Sequence, residues 1–370
     1  MNEGLRALIL AGGYATRLRP LSCTRPKALF PVAGKPMLEW LLDGLSAQGI
    51  EAAVLAVNYL EDRIKLRFGS RHGDMRIKYS KEPHPLGTAG PIKYAKGLLE
   101  GHGPFLVLNG DIMNELSVAD MLEFHMGKGA AATIALHEVE DASRFGAVEL
   151  GEGMRIKRFV EKPKPGHEPS RLINAGMYIL EPEVFDLIPD GRKVSLEREI
   201  FPKLAEAGRL FGYRYEGLWL DIGKFDDYIR ANRVYLERVF RNPRRYRLHA
   251  LAPPPNAAIE PPSFVSDEAK IGEGARVGPY ASIGEGSVLA RRAQVKESIL
   301  FEGVEVGEGS VIEASIIGEG CRIGRGVRIG PGCVLGDMVQ INDGVAVSNG
   351  AVVCHFKEID ANVSGPATVF

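Results

Sequence analysis

The sequence predicts an α/β protein in two parts, a mostly parallel sheet with helices on both faces followed by a parallel β-helix. Three observations predict it: short apolar strands alternate with helical patterns through the first 235 residues, aliphatic residues recur every six positions from residue 265, and a proline-rich stretch separates these regions. A chain of 370 residues also has the length of about two or three domains.

The first region alternates strand and helix patterns. Apolar runs typical of buried strands occupy residues 7–10, 52–57 and 105–108. Helical spacing follows the first run, with Pro36 near the start and Gly49 as the stop, at Leu38, Leu41, Leu42 and Leu45. A second helical pattern, at Ile92, Ala95 and Leu99, precedes the third run. Because ligands of parallel sheets bind beyond the carboxyl ends of the strands, the residues after Leu10 and Leu108 are the candidate site.

The second region has the six-residue period of a parallel β-helix, in which each hexad forms one flat side of a coil. Thirteen aliphatic residues keep the period, with two slips of phase: Val265, Ile271, Val277, Ile283, Leu289, Val295, Val306, Ile312, Ile323, Ile329, Leu335, Ile341 and Val347. Gly often follows them, as corners with left-handed backbone angles require. We therefore expect these thirteen side chains to point inward.

The predicted boundaries are 1–240 for the first domain, 241–262 for a proline-rich linker and 263–370 for the β-helix. The linker contains Pro253-Pro254-Pro255 and follows a basic run, 241–247. Near the slips, more aliphatic residues crowd together than one inward ladder needs: Ile299, Leu300, Phe301, Ile316 and Ile317. With Val369 and Phe370, they form a candidate subunit or interdomain contact, the alternative being that they only pack corners. A cut near Pro254 is expected to leave a soluble first domain.

Composition excludes several classes of function. A net charge of −1 argues against bulk electrostatic binding of nucleic acid or an anionic membrane. No apolar run approaches the length of a membrane span, and the start of the chain lacks a signal-peptide pattern, so we expect a cytoplasmic protein without a membrane partner. The four cysteines form no CxxC pair, which favours reduced thiols.

The loop after the first strand carries the first candidate chemistry. Gly12 and Gly13 allow a ligand to approach the backbone closely, and successive backbone N–H groups can hold phosphates. The loop is neither a Walker A motif nor GxGxxG, so a nicotinamide dehydrogenase is disfavoured. Arg17 and Lys27 follow, and both suit phosphate oxygens. Two solvated surface cations are the alternative interpretation.

At this point the chain resembles the sugar-nucleotide pyrophosphorylases, which are nucleotidyltransferases acting on sugar 1-phosphates. The resemblance rests on matched motifs in the family's order: 12–20, Pro26-Lys27, 34–37, 85–91, 109–111, Phe145-Gly146, 159–163, 174–178 and 219–223. The hexapeptide tail matches as well. The chain is most similar to the mannose-1-phosphate guanylyltransferases, through residues 86–91, 173–180 and 341–343. Ala15 departs from the family, which usually has Gly there; if that position needs a positive φ, Ala costs about 1 kcal/mol.

The resemblance implies a Rossmann-like nucleotidyltransferase domain followed by a left-handed β-helix of hexapeptide repeats. It implies transfer of a nucleoside monophosphate from a nucleoside triphosphate, GTP above all, to a sugar 1-phosphate such as mannose 1-phosphate, with Mg²⁺ as cofactor. The implied catalytic residues are Arg17 and Lys27, and the implied magnesium ligands are Asp111 and Asp221. The implied nucleotide-binding residues are Leu10, Ala11, Gly12, Gly13, Gly87 and Thr88. The implied sugar-phosphate-binding residues are Gly146, Glu161, Lys162 and Asn174.

Several alternatives stay open. UDP- and dTDP-glucose pyrophosphorylases share most of these motifs, and a regulatory relative could keep the fold without the chemistry. An acyltransferase tail is disfavoured, because residues 265–347 contain no His to act as base. We therefore expect the β-helix to be an assembly or regulatory module, and the protein to be a homo-oligomer through it.

Overall fold

The structure, a computed structural model, describes residues 4–242 and 256–370. These fall into two compact units. We call the first the sheet unit; it comprises the chain up to Gly13, Pro26–Ala28 and Met37–Asp221. We call the second the β-helix unit; it comprises Tyr14–Arg25, Leu29–Pro36 and Ile222–Phe370.

The first 242 residues contain fourteen strands and eight α-helices among the described residues. In chain order they are β1 (Arg6–Leu10), β2 (Pro31–Val32), β3 (Lys35–Pro36), α1 (Met37–Ala47), β4 (Ala52–Val57), α2 (Glu61–Phe68), β5 (Arg71–His72), β6 (Met75–Lys81), α3 (Gly90–Tyr94), α4 (Lys96–Leu99), β7 (Phe105–Asn109), β8 (Ile112–Asn114), α5 (Val118–Lys128), β9 (Ala132–Glu138), β10 (Gly146–Leu150), β11 (Ile156–Glu161), β12 (Leu172–Leu180), α6 (Val184–Leu187), α7 (Phe201–Glu206), β13 (Leu210–Arg214), β14 (Trp219–Asp221) and α8 (Phe225–Arg241).

A parallel set of strands forms the centre of the sheet unit. The main sheet has the order β11-β10-β12-β7-β1-β4-β6-β5, and β7, β1, β4 and β6 run parallel, as the three apolar runs predict. Beyond this centre, β12 pairs antiparallel with β7, and β9 and β13 extend the sheet from β12. The carboxyl ends of β1, β4, β6 and β7 therefore share one edge.

Buried helix faces cover the sheet. The predicted helix is α1, whose four periodic leucines are all buried. The second helical pattern is confirmed as two short helices, α3 and α4, with Ile92, Ala95 and Leu99 fully buried. Across the core, Phe105 of β7 stacks on Phe185 of α6 with ring centroids 5.0 Å apart. These contacts fix β7, whose carboxyl end leads into the candidate site.

The tail of the chain is a left-handed parallel β-helix with three sheets of six, seven and six strands. Its strands are β15 (Ala258–Ile259), β16 (Phe264–Val265), β17 (Lys270–Ile271), β18 (Arg276–Val277), β19 (Ser282–Ile283), β20 (Val288–Leu289), β21 (Gln294–Lys296), β22 (Ile299–Leu300), β23 (Glu305–Val306), β24 (Val311–Glu313), β25 (Ile316–Ile317), β26 (Arg322–Ile323), β27 (Arg328–Ile329), β28 (Val334–Leu335), β29 (Gln340–Ile341), β30 (Ala346–Val347), β31 (Val352–Val353), β32 (Glu358–Ile359) and β33 (Thr368–Val369).

The six-residue period is confirmed as the inward ladder. All thirteen predicted residues are the second residue of their strand, and all but Ile271 are buried. Ile271 is half-buried and still packs against the same core. At the slips, Leu300 and Ile317 continue this inward ladder. Aliphatic stacking from coil to coil therefore supplies the core of this unit.

The extra apolar residues at the slips are covered rather than exposed. Ile299 and Ile316 precede the inward residues of their strands and are fully buried, as is the corner residue Phe301. Phe301 packs against Phe30 and Tyr228, with ring centroids 5.9 and 6.5 Å apart. Phe30 and Tyr228 fall within the predicted domain 1–240, but the structure groups them with Phe301 in the β-helix unit, so this contact lies inside one unit. Of the other two suggested contact residues, Val369 is half-buried and Phe370 is 84% exposed.

The division into units differs from a single boundary near residue 240. The segments 14–25 and 29–36 and helix α8 belong to the β-helix unit. The first β-helix strand, β15, lies inside the predicted linker and pairs with β18. Pro253-Pro254-Pro255 and most of the basic run lie outside the described residues. Among those described, no helix has both the length and the hydrophobicity to cross a bilayer.

We expect Ile312→Ala to destabilise the β-helix unit by about 2–5 kcal/mol, because it truncates a fully buried side chain and leaves a cavity. Val311 precedes it on β24 and is only half-buried, so Val311→Ala is the matched control, with a loss below about 1 kcal/mol. Denaturant unfolding followed by circular dichroism measures both. Equal losses would contradict the inward ladder.

Candidate functional site

Two glycines keep the carboxyl end of β1 open in the sheet unit. Leu10 ends this strand, and the N–H of the next residue, Ala11, donates to the Ala56 carbonyl at 2.9 Å. A Cβ on Gly12 would lie 3.2 Å from the Cβ and N of Asn58, whereas nothing lies within 4 Å of one on Gly13. The backbone is thus tightly packed at Gly12 and accessible at Gly13, as a nucleotide-binding loop requires.

Ala15 occupies the left-handed conformation for which the family's Gly is suited. Its φ and ψ are 46° and 45°. Its carbonyl accepts hydrogen bonds from the Leu18 N–H and the Ser22 hydroxyl, both at 2.9 Å. Those two hydrogen bonds stabilise the left-handed backbone. This conformation costs about 1 kcal/mol for Ala. Arg17 lies in the short 3₁₀ turn that follows, exposed, within the β-helix unit.

Lys27 and Asp111, predicted for different tasks, form an ion pair. The Lys27 Nζ lies 2.7 Å from Asp111 Oδ2. The Lys27 side chain is 11% exposed and that of Asp111 is 45% exposed, so the carboxylate faces solvent while the ammonium is held beneath it. Asp111 is the second residue after β7, at the sheet edge where ligands are expected.

The strand pair β8–β14 brings the second predicted metal ligand to the same place. In this antiparallel pair, Asp221 lies opposite Ile112, the residue after Asp111. The two aspartates, 110 positions apart in the chain, are therefore neighbours. The strand register thus places the two residues side by side, and their shared role in metal binding stays a prediction.

The residues predicted to hold the sugar phosphate also meet. Gly146 pairs with Glu161 across β10 and β11. A Cβ on Gly146 would lie 2.8 Å from Glu161 Oε2, so only Gly leaves that carboxylate its position. Lys162 lies beside it, with Nζ 3.5 Å from Glu161 Oε1, and its N–H donates to the Phe145 carbonyl at 3.0 Å.

Asn174 is partly engaged within the protein. Its Nδ2 donates to the Tyr178 hydroxyl at 3.0 Å, and its Oδ1 accepts from the Gly176 N–H at 2.8 Å. A side-chain amide has two donor hydrogens and two acceptor lone pairs. One of each is left for a substrate hydroxyl, so the role suggested for Asn174 stays a prediction.

Gly87 and Thr88 lie where the loop after β6 contacts residues 194–197. Gly87 has φ +84°, and a Cβ there would lie 2.3 Å from the Val194 carbonyl oxygen. The Thr88 hydroxyl donates to Glu197 Oε2 at 2.6 Å and accepts from the Leu196 N–H at 2.9 Å. The single donor of the Thr88 hydroxyl is thus used inside the protein, and its place in the nucleotide pocket stays a prediction.

Glu197 is a residue that the sequence analysis missed. Besides Thr88, it accepts a hydrogen bond from the Ser195 hydroxyl at 2.7 Å. Its charge also reaches Glu161: burial, and then repulsion by Glu197, raises the pKa of the Glu161 carboxyl. In the sequence, Ser195 followed by acidic residues signals only a helix N-terminus. No motif pointed to Glu197 as a neighbour of the sugar-phosphate residues.

Comparison with known proteins gives two family matches that together span most of the chain. The nucleotidyl transferase family model matches residues 6–238, and the model of the GMPPB C-terminal domain matches residues 259–369. The second match begins one residue after the start of β15.

Named relatives are similar over nearly the same extent. Mannose-1-phosphate guanylyltransferase 1 of Arabidopsis thaliana is 38% identical over 322 residues, covering 85% of this chain and 86% of that protein. Mannose-1-phosphate guanylyltransferase of Mycobacterium tuberculosis is 36% identical over 312 residues, covering 83% and 82%. Among solved structures, HddC from Yersinia pseudotuberculosis complexed with GMP-PN is 29% identical, with a TM-score of 0.54, covering 62% of this chain and 99% of that one.

We expect Glu197→Gln to shift the acid limb of kcat/KM for the sugar 1-phosphate to lower pH. In the role that the resemblance implies, an ionised Glu161 would accept hydrogen bonds from sugar hydroxyls. Its raised pKa makes Glu161 protonate at a higher pH than an ordinary Glu. Removing the Glu197 charge lowers that pKa. Glu199→Gln, which removes a carboxylate paired with Arg192 at 2.8 Å, is the matched control. If the acid limb of Glu197→Gln stays in place or moves to higher pH, the charge of Glu197 does not raise the pKa of Glu161.

Proposed function

We propose a specific reaction for this chain, which belongs to the nucleotidyltransferase family. It transfers guanylate from GTP to mannose 1-phosphate, releasing pyrophosphate and forming GDP-mannose. The names of the relatives from Arabidopsis thaliana and Mycobacterium tuberculosis support the sugar and the base. The complex of HddC with GMP-PN also supports a guanine nucleotide.

The observation that carries the chemistry is the Lys27–Asp111 pair at the carboxyl edge of the parallel strands, with Asp221 beside it. A nucleotidyl transfer brings two polyanions together and must distribute the negative charge of the transition state. Positioned cations and metal-binding carboxylates supply most of the catalysis in such reactions. This edge provides both within one cluster.

The donor set at this edge fits a magnesium ion. Asp111 and Asp221 offer carboxylate oxygens from neighbouring positions. No cluster of three or more His, Cys, Asp or Glu suited to a metal occurs in residues 4–242 and 256–370. Because Mg²⁺ in nucleotide enzymes is held by one or two carboxylates together with phosphates and water, two aspartates are sufficient. When bound, the ion neutralises phosphate charge on the triphosphate.

The protein groups have separate tasks in the proposed reaction. An oxygen of the sugar 1-phosphate attacks the α-phosphorus in line, and pyrophosphate leaves. This nucleophile is already anionic, so the protein needs neither a general base nor a nucleophile of its own. Lys27 and Arg17 stabilise charge on the triphosphate, and Lys162 holds the sugar phosphate while Glu161 and Asn174 orient the sugar. The Gly12–Gly13 backbone and Gly87 line the nucleotide pocket.

A substrate matrix tests the proposal. Purified protein with Mg²⁺ is given each of four nucleoside triphosphates with mannose, glucose or N-acetylglucosamine 1-phosphate, and pyrophosphate release is measured. We expect GTP with mannose 1-phosphate to give the highest kcat/KM. A preference for UTP or dTTP with glucose 1-phosphate would overturn the substrate assignment. If no substrate pair gives pyrophosphate, the alternative of a regulatory protein that keeps the fold without the chemistry would be favoured.

We expect Lys27→Ala to lower kcat by about two to three orders of magnitude, the scale lost when one preorganised transition-state donor is removed. Thermal unfolding should change little, because the Asp111 carboxylate that loses its partner is 45% exposed. Lys93→Ala removes a mostly buried lysine elsewhere in the sheet unit and serves as the control. Nearly normal turnover in Lys27→Ala would exclude the assigned role.

The shared magnesium ion predicts non-additive losses at Asp111 and Asp221. Each Asn variant should raise the Mg²⁺ concentration needed for half-maximal rate. The double variant should lose much less than the two single losses combined, because residues that act as one unit are not additive. Steady-state rates against Mg²⁺ concentration provide the measurement, and simple additivity would indicate separate roles.

A further inference from the structure

One corner of the β-helix carries an acidic residue in each of four successive coils. These residues, which we call the acidic corner ladder, are Glu285, Glu302, Glu319 and Asp337. Backbone hydrogen bonds join the coils at this corner: the N–H after Glu302 donates to the Glu285 carbonyl at 2.8 Å, and the N–H after Glu319 donates to the Glu302 carbonyl at 2.9 Å. Since neighbouring strands lie about 4.8 Å apart, the carboxylates repel one another unless a cation lies among them.

Arg25 supplies that cation from the other end of the sequence. Its guanidinium binds both Glu302 oxygens, at 3.0 and 2.5 Å, and Glu319 Oε2 at 2.9 Å. It also lies over the Phe301 ring, 4.9 Å from the centroid, and its side chain is only 9% exposed. Burial lowers the pKa of Arg25, but the hydrogen bonds and charges of Glu302 and Glu319 outweigh this and raise it above its usual value.

The preceding residue makes a second bond to the same ladder. The Thr24 hydroxyl donates to Asp337 Oδ2 at 2.6 Å, while Asp337 Oδ1 accepts from the Glu319 N–H at 2.8 Å. Two consecutive residues of the segment 14–25 are thus bound to three coils of the β-helix. Both partners in every one of these contacts belong to the β-helix unit.

The bound end of this segment connects to the turn that carries Arg17. The Cys23 N–H donates to the Pro20 carbonyl at 2.9 Å, and the Ser22 hydroxyl donates to the Ala15 carbonyl at 2.9 Å. Ala15 is the left-handed residue that starts the Thr16–Leu18 turn. Hydrogen bonds thus join Arg25 to the ladder and Ser22 to the residue that starts the Arg17 turn, and the chain between residues 22 and 25 connects the two.

We propose that Arg25 is a positioning residue, which uses the acidic corner ladder to hold the segment 14–25 in the conformation that presents Arg17 to the triphosphate. The β-helix then supports the segment 14–25 of its own unit, in addition to any part in assembly. This inference rests on the proposed function, because the task of Arg17 comes from it. The attachment of the segment to the ladder is a separate, structural consequence.

The decisive variant must remove this attachment without adding repulsion within the ladder. Arg25→Met alone removes the cation between Glu302 and Glu319, whose side chains are 42% and 40% exposed, and like charges in neighbouring coils repel each other. The triple variant Arg25→Met, Glu302→Gln, Glu319→Gln keeps the apolar stem and removes both charges, so its thermal midpoint should stay near that of wild type. Glu285→Gln is the matched control: it neutralises an exposed member of the same ladder, one coil before Glu302.

Two readouts separate positioning from folding. In the triple variant, amide hydrogen exchange in residues 14–25 should become faster, and kcat/KM for GTP should fall about 10- to 100-fold, the scale of a misplaced catalytic group. The KM for mannose 1-phosphate should stay within about twofold. Arg25→Lys, which keeps the charge but not the two-oxygen fork, should give an intermediate loss. Glu285→Gln should match wild type in both readouts.

Clear results would overturn the inference. A folded triple variant with wild-type exchange in residues 14–25 would show that Arg25 does not hold the segment, whatever its activity. Faster exchange with unchanged kcat/KM for GTP would show that this attachment does not position Arg17. If the wild-type protein releases no pyrophosphate from any substrate pair, the proposed function fails, and the exchange measurement still decides whether Arg25 fixes the segment.

Discussion

The ion pair between Lys27 and Asp111 is the interaction on which the proposed active site depends. It joins the motif after β1 to the second residue after β7, in a 2.7 Å contact with the cation mostly buried. This contact requires β1 and β7 to be adjacent and parallel, so that both chains leave the sheet at one edge. The β8–β14 pair then brings Asp221 alongside. Charge of both signs is concentrated at this edge, which suits a metal ion and a polyphosphate together.

Much of this arrangement could be predicted from the sequence, because it rests on local patterns. Apolar runs mark the central strands, helical spacing marks α1, and the six-residue period marks the inward ladder of the β-helix. The positive φ suspected at Ala15 is present as well, at 46°. Each of these features is determined by residues close together in the chain, so each can be recognised as a pattern in the sequence.

Contacts between distant segments were not predictable in the same way. Glu197 lies near Glu161 because the helical turn Leu196–Ile200 packs against β11, and no spacing in the sequence encodes that contact. Likewise, the apolar excess at Phe301 was visible, but its partners Phe30 and Tyr228 were not. No motif singled out Arg25, whose carboxylate partners lie 277 and 294 positions away in the chain. Which residues pair with a buried charge or cover an apolar side chain is decided only when distant segments come together in the fold.

The placement of these segments changes the expected role of the tail. The sequence analysis expected a chain cut near Pro254 to retain a complete, soluble first domain. In the structure, Phe30 and Tyr228 are fully buried and pack against Phe301, which such a cut would remove. The fragment would also lose the carboxylates that bind Arg25. We therefore expect that fragment to expose apolar surface, whether or not the β-helix also mediates self-association, which stays a prediction.

The central claim is that this chain catalyses a single in-line displacement by positioning and charge, without a protein nucleophile. The most direct measurement follows the configuration at the α-phosphorus, using GTP that carries a chiral α-thiophosphate and mannose 1-phosphate as acceptor. One displacement predicts a GDP-mannose analogue with inverted configuration. Retention would mean two successive displacements through a covalent protein intermediate, and would contradict the roles assigned here to Lys27, Asp111 and Asp221.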